Sequence, residues 1–525
     1  MKNFSLYRPL LACSISFVMM GMARQEAAAV MPVKDTVVKV IDISTRRQLF
    51  VDNYLIDHLG GGAQMQMNHP EAKEVVIEHG EPWEGSYCNN HSIFKDGDIY
   101  RMYYAAVHYN VQQGKVIDNE HPFYLCYAES NDGIHWRKPN LGLYEFRGSK
   151  QNNIIMTEDK MGDVRPGASS AAMFIDDNPD AAPDAKYKAI IGDYTEIGGS
   201  PQGALAFKSR DAIHWVPMHN KPVISGGSFD SQNLGFWDAA HKEYRAYWRY
   251  MAGEEKVRSI RTASSKDFIN WSNYADLKYV NSPEEHLYNN VIKSYPRSPD
   301  IIMGFPIRYI ERPWSASMRA LPEPEHRKMR SSSVDRFGTA LTEGLFMTSR
   351  DGVTFNRWNE AFLRPGIERP GTWNYGQQFI GWTMVETKSA LEGAPDELSF
   401  YATESCWTGN STLLRRFTMR MDGFVSITAP LSGGELVTKP VTFKGTHLSL
   451  NVSTSAAGSV RIELQDEQGK PIPGFTLEDS QELYGDNLDK KVYWKNGSDI
   501  SSLQGLPVRI RFILKDAALF SFRCQ

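Results

Sequence analysis

SNDGIHW, at residues 130–136, recurs three times farther along the chain. The copies are SRDAIHW at 209–215, SKDFINW at 265–271 and SRDGVTF at 349–355. Each copy has a serine, an aspartate two residues later and an aromatic residue at the seventh position. The aspartates lie 79, 56 and 84 residues apart, and a unit that recurs at such intervals indicates a repeat architecture.

The aspartates of these phrases are Asp132, Asp211, Asp267 and Asp351. Serine and aspartate side chains favour tight turns because they hydrogen-bond to nearby backbone amides. We therefore interpret the four aspartates as turn residues and exclude them from the catalytic candidates.

A second pattern, rich in aromatic residues around a turn, precedes each serine phrase and occurs once more without it. Its copies are FKDGDIYRMYY (94–104), FIDDNPDAAPDAKYKAIIGDY (174–194), FWDAAHKEYRAYWRY (236–250), SYPRSPDIIMGFPIRY (294–309) and VETKSALEGAPDELSFYATES (385–405). Aromatic and β-branched residues on both sides of such turns are typical of β-hairpins. Five units of about four strands each predict an all-β chain with a five-bladed β-propeller over about residues 50–430, because radial closure protects strand edges. An array of β-sandwiches is the alternative.

The first thirty residues have the order of a secretory signal peptide. Two basic residues precede an apolar stretch at 10–22, and small residues follow at 27–29. The apolar stretch is short for a membrane span. We predict a signal peptide over residues 1–29 and a secreted or periplasmic mature protein. Cys13 offers a lipoprotein alternative, which is disfavoured because this cysteine lies inside the apolar stretch.

The sequence changes in character after about residue 432. HLSLNVS (447–453), SVRIELQDEQGKPIPGF (459–475) and VRIRFILKDAALFSFR (508–523) alternate apolar and polar residues. Such alternation, with frequent turns, is typical of antiparallel sheets with one buried face. We predict a propeller domain at 30–432 and a small β-sandwich at 433–525. One more propeller blade is the alternative for the second region.

Composition excludes several classes of partner and site. The chain has 525 residues, a formal net charge of −4 and a mean hydropathy of −0.43, without the basic runs expected of nucleic-acid binding. No segment after the leader is long and apolar enough for a membrane-spanning helix. The later cysteines, Cys88, Cys126, Cys406 and Cys524, have no zinc-ligand spacing. We predict no metal site, no cofactor and buried free thiols, with a Cys88–Cys126 disulfide as the alternative.

Loops that enter the innermost strand of each propeller blade converge on one axial pocket. Here those loops carry acidic, amide, arginine, histidine and tryptophan side chains, which suit acid–base chemistry on a glycosidic oxygen and the binding of a sugar ring. The catalytic candidates are Asp52, Glu84, Asp230 and Glu285. The substrate-binding candidates are His91, Asn233, Arg249, Arg258 and Trp373. For each of them a structural role, such as strand capping, a salt bridge or core packing, is the alternative.

Several segments carry a family resemblance. These are LFVDNYLI (49–56), PWEGSY (82–87), DGDIYRMYY (96–104) and SFDSQN (228–233). Together with the hairpins and the trailing sandwich, they resemble the five-bladed propeller glycoside hydrolases, which include invertases, levanases, arabinanases and mannoside phosphorylases, and within them a bacterial branch with a C-terminal β-sandwich. The resemblance implies three acidic residues from different blades. The WMNDPNG and RDP motifs and the Glu-Cys pair of better known members are missing here, so their roles are not transferred to individual residues.

The residues and the resemblance together predict an exported glycoside hydrolase. It would cleave a glycosidic bond with paired carboxylates, acting from the end of a polysaccharide-derived oligosaccharide. A phosphorylase or transglycosidase on the same scaffold is one alternative, with Arg249, Arg258, Arg308 and Arg312 as candidates for a phosphate-binding cluster. A non-catalytic carbohydrate-binding propeller is the other.

Overall fold

Five β-sheets stand around a common axis. A computed structural model describes residues 39–112, 115–117, 121–195, 201, 203–407 and 412–525. The first strands of neighbouring sheets lie against each other around the axis, and the Trp382 indole donates to the Ile292 carbonyl (2.9 Å) where the fourth and fifth sheets meet. The predicted all-β class and the five-bladed propeller are confirmed. The predicted signal peptide at 1–29 lies outside the described residues.

Each blade is built on four antiparallel strands that follow one another from the axis outward. Blade I consists of Tyr87–Asp96, Ile99–Val107, Tyr124–Ser130 and Trp136–Arg137, with Ile154–Met156 added. Blade II consists of Pro166–Ile175, Tyr187–Asp193, Gly203–Ser209 and Val216–Pro217, with Ile224–Ser225 added. Blade III consists of Leu234–Asp238, Glu243–Ala252, Val257–Ser265 and Trp271–Asp276. Blade IV consists of Ile292–Tyr295, Ser298–Gly304, Leu341–Ser349 and Thr354–Leu363, with Lys278–Val280 and Ile307–Ile310 added.

Each repeated serine ends the third strand of its blade, and its side chain builds the turn that follows. In blade I the Ser130 hydroxyl accepts a hydrogen bond from the Gly133 amide (2.9 Å), and the Asp132 carboxylate accepts from two backbone amides (both 2.8 Å). The same bonds recur in blades II, III and IV. The prediction that these aspartates are turn residues is therefore confirmed.

Blade V joins the two ends of the propeller. Its strands are Val385–Thr387, Glu397–Glu404 and Thr412–Met419, and its outermost strand is Glu71–His79, which precedes blade I in the sequence. Arg416 forms an ion pair with Glu74 (2.6 Å) across this last pairing. The ring is closed by hydrogen bonds between its first and last strands, which leaves no open edge at the junction.

A ten-stranded sheet is formed by segments from both sides of the propeller. Its strands are Ile41–Ser44, Gln48–Leu49, Ile56–Gly61, Gln64–Met67, Val425–Ala429, Gly434–Thr438, Val441–Phe443, Leu448–Asp466, Asp486–Lys491 and Val508–Cys524. The region predicted as a C-terminal sandwich supplies the two longest strands, and strands that precede the first blade complete the sheet. We call it the terminal sheet. The domain boundary predicted between residues 432 and 433 stays a prediction.

Asp422 connects the propeller to the terminal sheet. Its carboxylate is fully buried and accepts hydrogen bonds from Arg297 Nε (2.9 Å), the Tyr295 hydroxyl (2.7 Å) and the Ser521 hydroxyl (2.9 Å), with Arg47 at 3.4 Å. Burial acts to raise the pKa of Asp422, but the two guanidinium groups and these donors lower it below its ordinary value. The carboxylate therefore stays ionised and holds groups from three distant parts of the sequence.

Short helices interrupt blade IV before its third strand. They are Ala316–Ala320, Pro324–Ser331 and Asp335–Thr339, and we call residues 316–339 the helical insertion. The remaining elements are the strand pair Asn110–Gln112 and Lys115–Ile117 and the 3-10 turns Pro183–Ala185 and Ser501–Leu503.

The four cysteines in the described part of the chain form no cross-links. Cys88, Cys126, Cys406 and Cys524 are all buried free thiols, as the sequence predicts. No helix within the described ranges is long and apolar enough to cross a membrane. Among the same residues, no group of three or more His, Cys, Asp or Glu side chains is placed to hold a metal ion.

We expect Asp422→Asn to lower the free energy of unfolding by about 3 kcal/mol or more, because Arg47 and Arg297 would lose a buried negative partner. Urea unfolding with an unchanged m-value measures the loss. Asp489→Asn is the matched control, since its carboxylate is 38% exposed, and should cost less than about 1 kcal/mol. Equal losses for the two variants would contradict the role assigned to Asp422.

Candidate functional site

The loops that enter the inner strands meet at one end of the axis and enclose a cavity of about 420 Å³, which we call the axial pocket. Its lining residues come from blades I, III, IV and V and are Tyr87, Tyr109, Asp230, Arg249, Met251, Arg258, Tyr288, Arg336, Phe337, Tyr375 and Trp407. The volume lies within the range of about 300–1,000 Å³ that is usual for small-molecule sites. The predicted convergence of the blade-entry loops is observed here.

Aromatic rings form most of the wall of the axial pocket. Phe337 stacks on Tyr375 with 6.0 Å between ring centroids and 11° between ring planes, and Trp407 meets Phe337 edge-on at 5.6 Å. The Tyr375 hydroxyl donates to the Tyr288 hydroxyl (2.8 Å). Burial raises the pKa of Tyr375 well above its ordinary value, so this hydroxyl stays protonated. Such a wall suits the apolar face of a sugar ring.

Asp230 is the one carboxylate among the described lining residues. It lies in the loop before the inner strand of blade III and is 45% exposed, whereas its partner Arg249 is only 4% exposed. A guanidinium N–H of Arg249 donates to Asp230 Oδ1. Burial acts to lower the pKa of Arg249, but the charge of Asp230 outweighs it and the pKa is raised. The accessible carboxylate therefore has a permanent cation beside it.

Arg258 and Arg336 complete the charged part of the lining. The Arg258 guanidinium lies over the Tyr309 ring at 4.8 Å, and that of Arg336 lies over the Phe337 ring at 4.8 Å. The Arg258 amide donates to His286 Nδ1 (3.1 Å), and burial together with the charge of Arg258 lowers the pKa of this histidine. Three arginines and one carboxylate make the described lining cationic.

Arg330 of the helical insertion positions the aromatic wall. It is almost fully buried and donates to the carbonyls of Trp407 (3.2 Å), Tyr375 (3.4 Å) and Cys406. Burial lowers its pKa to about 10, so the side chain stays charged at neutral pH. One rigid guanidinium thus joins the two blade V loops that carry Tyr375 and Trp407.

Of the nine candidates predicted from the sequence, the pocket brings together three, which are Asp230, Arg249 and Arg258. Asn233 does not line the pocket but is fully buried. Its side-chain amide donates to the Phe229 carbonyl (2.9 Å), and its backbone N–H donates to the Ser170 carbonyl (3.1 Å). These bonds hold the short loop that carries Asp230.

Glu84 and His91 lie in a buried polar cluster outside the axial pocket. Glu84 accepts from the Tyr104 hydroxyl (2.5 Å) and from Lys138 (2.7 Å), with His79 Nδ1 at 3.6 Å. Burial acts to raise the pKa of Glu84, but His79 and Lys138 hold it at about 2. His91 Nε2 lies 3.0 Å from His79 Nε2, and burial lowers the pKa of His91 well below its ordinary value.

The other candidates do not line the axial pocket either. Asp52 pairs with Arg350 (3.2 Å), beside the serine turn of blade IV. Glu285 pairs with Arg308 (3.1 Å) and Arg357 (2.9 Å). Trp373 donates from its indole to the Gly366 carbonyl (2.8 Å). A catalytic role for any of the four acids stays a prediction, but only Asp230 is placed to reach a ligand in this pocket.

Sequence reasoning missed most of the aromatic lining. Tyr87, Tyr288 and Tyr375 lie in the blade-entry segments that the sequence singles out, within a few residues of candidates in those segments. Tyrosines in the blade-entry segments could therefore have been predicted from the sequence as lining residues. Arg336 and Phe337 carried no such signal, because they belong to an insertion outside the repeat.

A larger groove of about 1010 Å³ lies elsewhere on the propeller, between blades II and III. It is lined by Lys188, Trp237 and Tyr244 together with several exposed lysines and aspartates. It lies away from the blade-entry loops, and Lys188 is bound within it to Asp176 (2.5 Å). The axial pocket remains the candidate site, because blade-entry loops from four blades converge there.

The chain is similar to several solved structures at low sequence identity. One is a glycoside hydrolase family 43 arabinoxylan arabinofuranohydrolase from Bacillus subtilis, with 11% identity, 87% of this chain and 99% of that chain covered, and a TM-score of 0.38. Another is a fructofuranosidase from Schwanniomyces occidentalis, with 15% identity, 86% and 98% covered, and a TM-score of 0.35. A third is an N-acetylgalactosamine deacetylase from F. plautii, with 12% identity, 69% and 94% covered, and a TM-score of 0.40.

No protein-family model matches the sequence, and no curated protein sequence does.

We expect Glu84→Gln to lower the free energy of unfolding by about 3 kcal/mol near neutral pH, because Lys138 and His79 would lose their buried negative partner. The folded pKa, about 2, lies below the ordinary value of about 4.3, so the carboxylate stabilises the fold above about pH 4 and this contribution is lost as the pH falls towards 2. Urea titrations across that window should show the difference between wild type and variant shrinking.

Glu81→Gln is the control for this prediction, because Glu81 is exposed in the same turn and its replacement should change stability by less than about 0.5 kcal/mol. A Glu84→Gln protein as stable as wild type would refute the structural role of this carboxylate.

Proposed function

We propose that the chain is an exported glycoside hydrolase that binds a carbohydrate in the axial pocket, with Asp230 as the carboxylate that acts at the glycosidic bond. One observation carries the proposal: an accessible carboxylate, held beside Arg249, faces a cavity walled by aromatic rings at the point where blade-entry loops converge. Export is supported by the signal-peptide order of the first thirty residues.

Sugar binding follows from the chemistry of the lining. Ring faces of Tyr288, Tyr375 and Trp407 offer apolar contact area, while tyrosine hydroxyls and arginine N–H groups offer hydrogen bonds to sugar hydroxyls. The Arg249 Nε–H is buried without a hydrogen-bond partner within the described chain, so this donor is unsatisfied there.

Asp230 would act at the glycosidic bond as a base or nucleophile. Its carboxylate accepts a hydrogen bond from Arg249, and a carboxylate can take a proton from water or attack the anomeric carbon. The usual reaction pairs two carboxyl groups about 5 to 9.5 Å apart. The described lining holds one, so the predicted pair is not complete within these residues.

The single carboxylate in the described lining also favours a second candidate function. A pocket with aromatic walls, three arginines and a single carboxylate can bind a sugar without cleaving it. The phosphorylase alternative is less favoured, because Arg308 is already bound to Glu343 (2.6 Å) and Glu285 (3.1 Å), and neither Arg308 nor Arg312 lines the axial pocket.

We expect Asp230→Asn to reduce kcat/KM by about 10²- to 10⁴-fold on any oligosaccharide that the wild-type protein cleaves, because the reacting carboxylate would be lost while the aromatic wall remains. Product release from a panel of plant, algal and host oligosaccharides measures turnover, and calorimetric titration measures binding. Glu392→Gln, on an exposed turn of blade V, is the matched control and should leave both unchanged.

Full turnover by the Asp230→Asn protein would remove Asp230 from the mechanism. Binding by wild type without product from any glycan of the panel would favour the binding function over hydrolysis.

A further inference from the structure

Arg258 and Arg336 bring two guanidinium groups to the axial pocket, and neither forms an ion pair with a carboxylate of the described residues. Within the described chain neither has an acidic oxygen within 4 Å; the side chain of Arg258 contacts His286 Nδ1 (3.3 Å) and that of Arg336 contacts the Tyr309 hydroxyl (3.4 Å). Glu284 and Glu311 act on the pKa of the neighbouring His286, and Glu311 also acts on that of Tyr309, but neither glutamate forms an ion pair with Arg258 or Arg336 within 4 Å.

Other arginines of the propeller have their charge or their N–H groups satisfied. Arg308, Arg357 and Arg416 are each bound to a glutamate at 3.1 Å or less, and the buried Arg330 donates to three backbone carbonyls. A guanidinium group that is partly removed from water is costly unless a negative group compensates it. In the axial pocket the one described carboxylate is already bound to Arg249, so positive charge remains uncompensated there.

The unpaired guanidinium groups are held in place by aromatic rings. Arg258 lies over Tyr309 (4.8 Å) and Tyr288 (5.8 Å), and Arg336 lies over Phe337 (4.8 Å). Stacking occupies the faces of a guanidinium group and leaves its N–H edges available, and these edges match the oxygens of a carboxylate or a sulfate. Both arginines line the same cavity as the sugar-binding rings.

We propose that the carbohydrate bound in the axial pocket carries an anionic substituent, a ring carboxylate or an ester sulfate, and that Arg258 and Arg336 bind its oxygens. This proposal rests on the proposed sugar-binding function and specifies its ligand class. Under this proposal Arg258 and Arg336 select acidic over neutral sugars, whereas the aromatic wall binds sugars of either kind.

Calorimetric titration of the full chain tests the proposal. The ligands are the methyl glycosides of glucuronic and galacturonic acid, those of glucose and galactose as neutral counterparts, glucose 6-sulfate, and inorganic sulfate alone. We expect an acidic sugar to bind at least about 10-fold more tightly than its neutral counterpart, which is the size of one charge-assisted hydrogen bond. The uronate and sulfate arms identify which anionic group is preferred.

Arg258→Gln and Arg336→Gln should each remove most of this preference, because the acidic sugar would lose much more affinity than its neutral counterpart. Arg319→Gln is the matched control, because it removes one positive charge from an exposed position of the same helical insertion. Retention of the preference in both pocket variants would overturn the assignment of these arginines.

The remaining outcomes separate this proposal from the proposed function. Equal binding of acidic and neutral sugars would overturn the anionic ligand and leave sugar binding intact. Tight binding of inorganic sulfate, with no gain from any attached sugar, would identify a site for a free oxyanion and overturn the proposal. Absence of binding by every sugar of the set would overturn both.

Discussion

Pairing between Glu71–His79 and Thr412–Met419 is the constraint on which the site depends. In this register Thr412 lies opposite His79 and Thr418 opposite Glu71, so the end of the propeller hydrogen-bonds to its beginning. Residues as far apart in sequence as Tyr87 and Trp407 line one cavity because the ring is closed. Asp422 adds a second connection, since it binds Arg47 and Arg297 and so fastens the closed ring to the terminal sheet.

Three of the four acidic candidates pair with cations outside the axial pocket. A carboxylate that becomes buried on folding needs a cation or several hydrogen-bond donors, because desolvation otherwise disfavours its charge. Glu84 has Lys138, Asp52 has Arg350 and Glu285 has Arg357. The axial pocket shows the reverse balance, with arginines in excess over carboxylates among its described residues. That balance is the basis for the acidic ligand class proposed above.

The helical insertion shows how a part of the chain outside the repeat shapes the site. It contributes Arg336 and Phe337 to the lining, and its buried Arg330 holds the blade V loops by their carbonyl groups. A buried arginine without a carboxylate partner is satisfied here by backbone oxygens and by the Trp407 ring at 4.7 Å. The aromatic wall therefore depends on a side chain that does not itself line the pocket.

The five-bladed ring could be predicted from the residue order because its signals are local. The bonds around Ser130 and Asp132 span only a few residues, so the phrase that encodes them can be recognised wherever it recurs. The selection of Asp230 over Glu84 as the accessible carboxylate could not be predicted in this way. Both residues precede inner strands. They differ because Glu84 pairs with Lys138, which is distant in sequence, whereas Asp230 faces an open cavity. Burial and charge pairing are long-range properties of the folded ring, which is why local patterns identified the blades but not the chemistry of their axis.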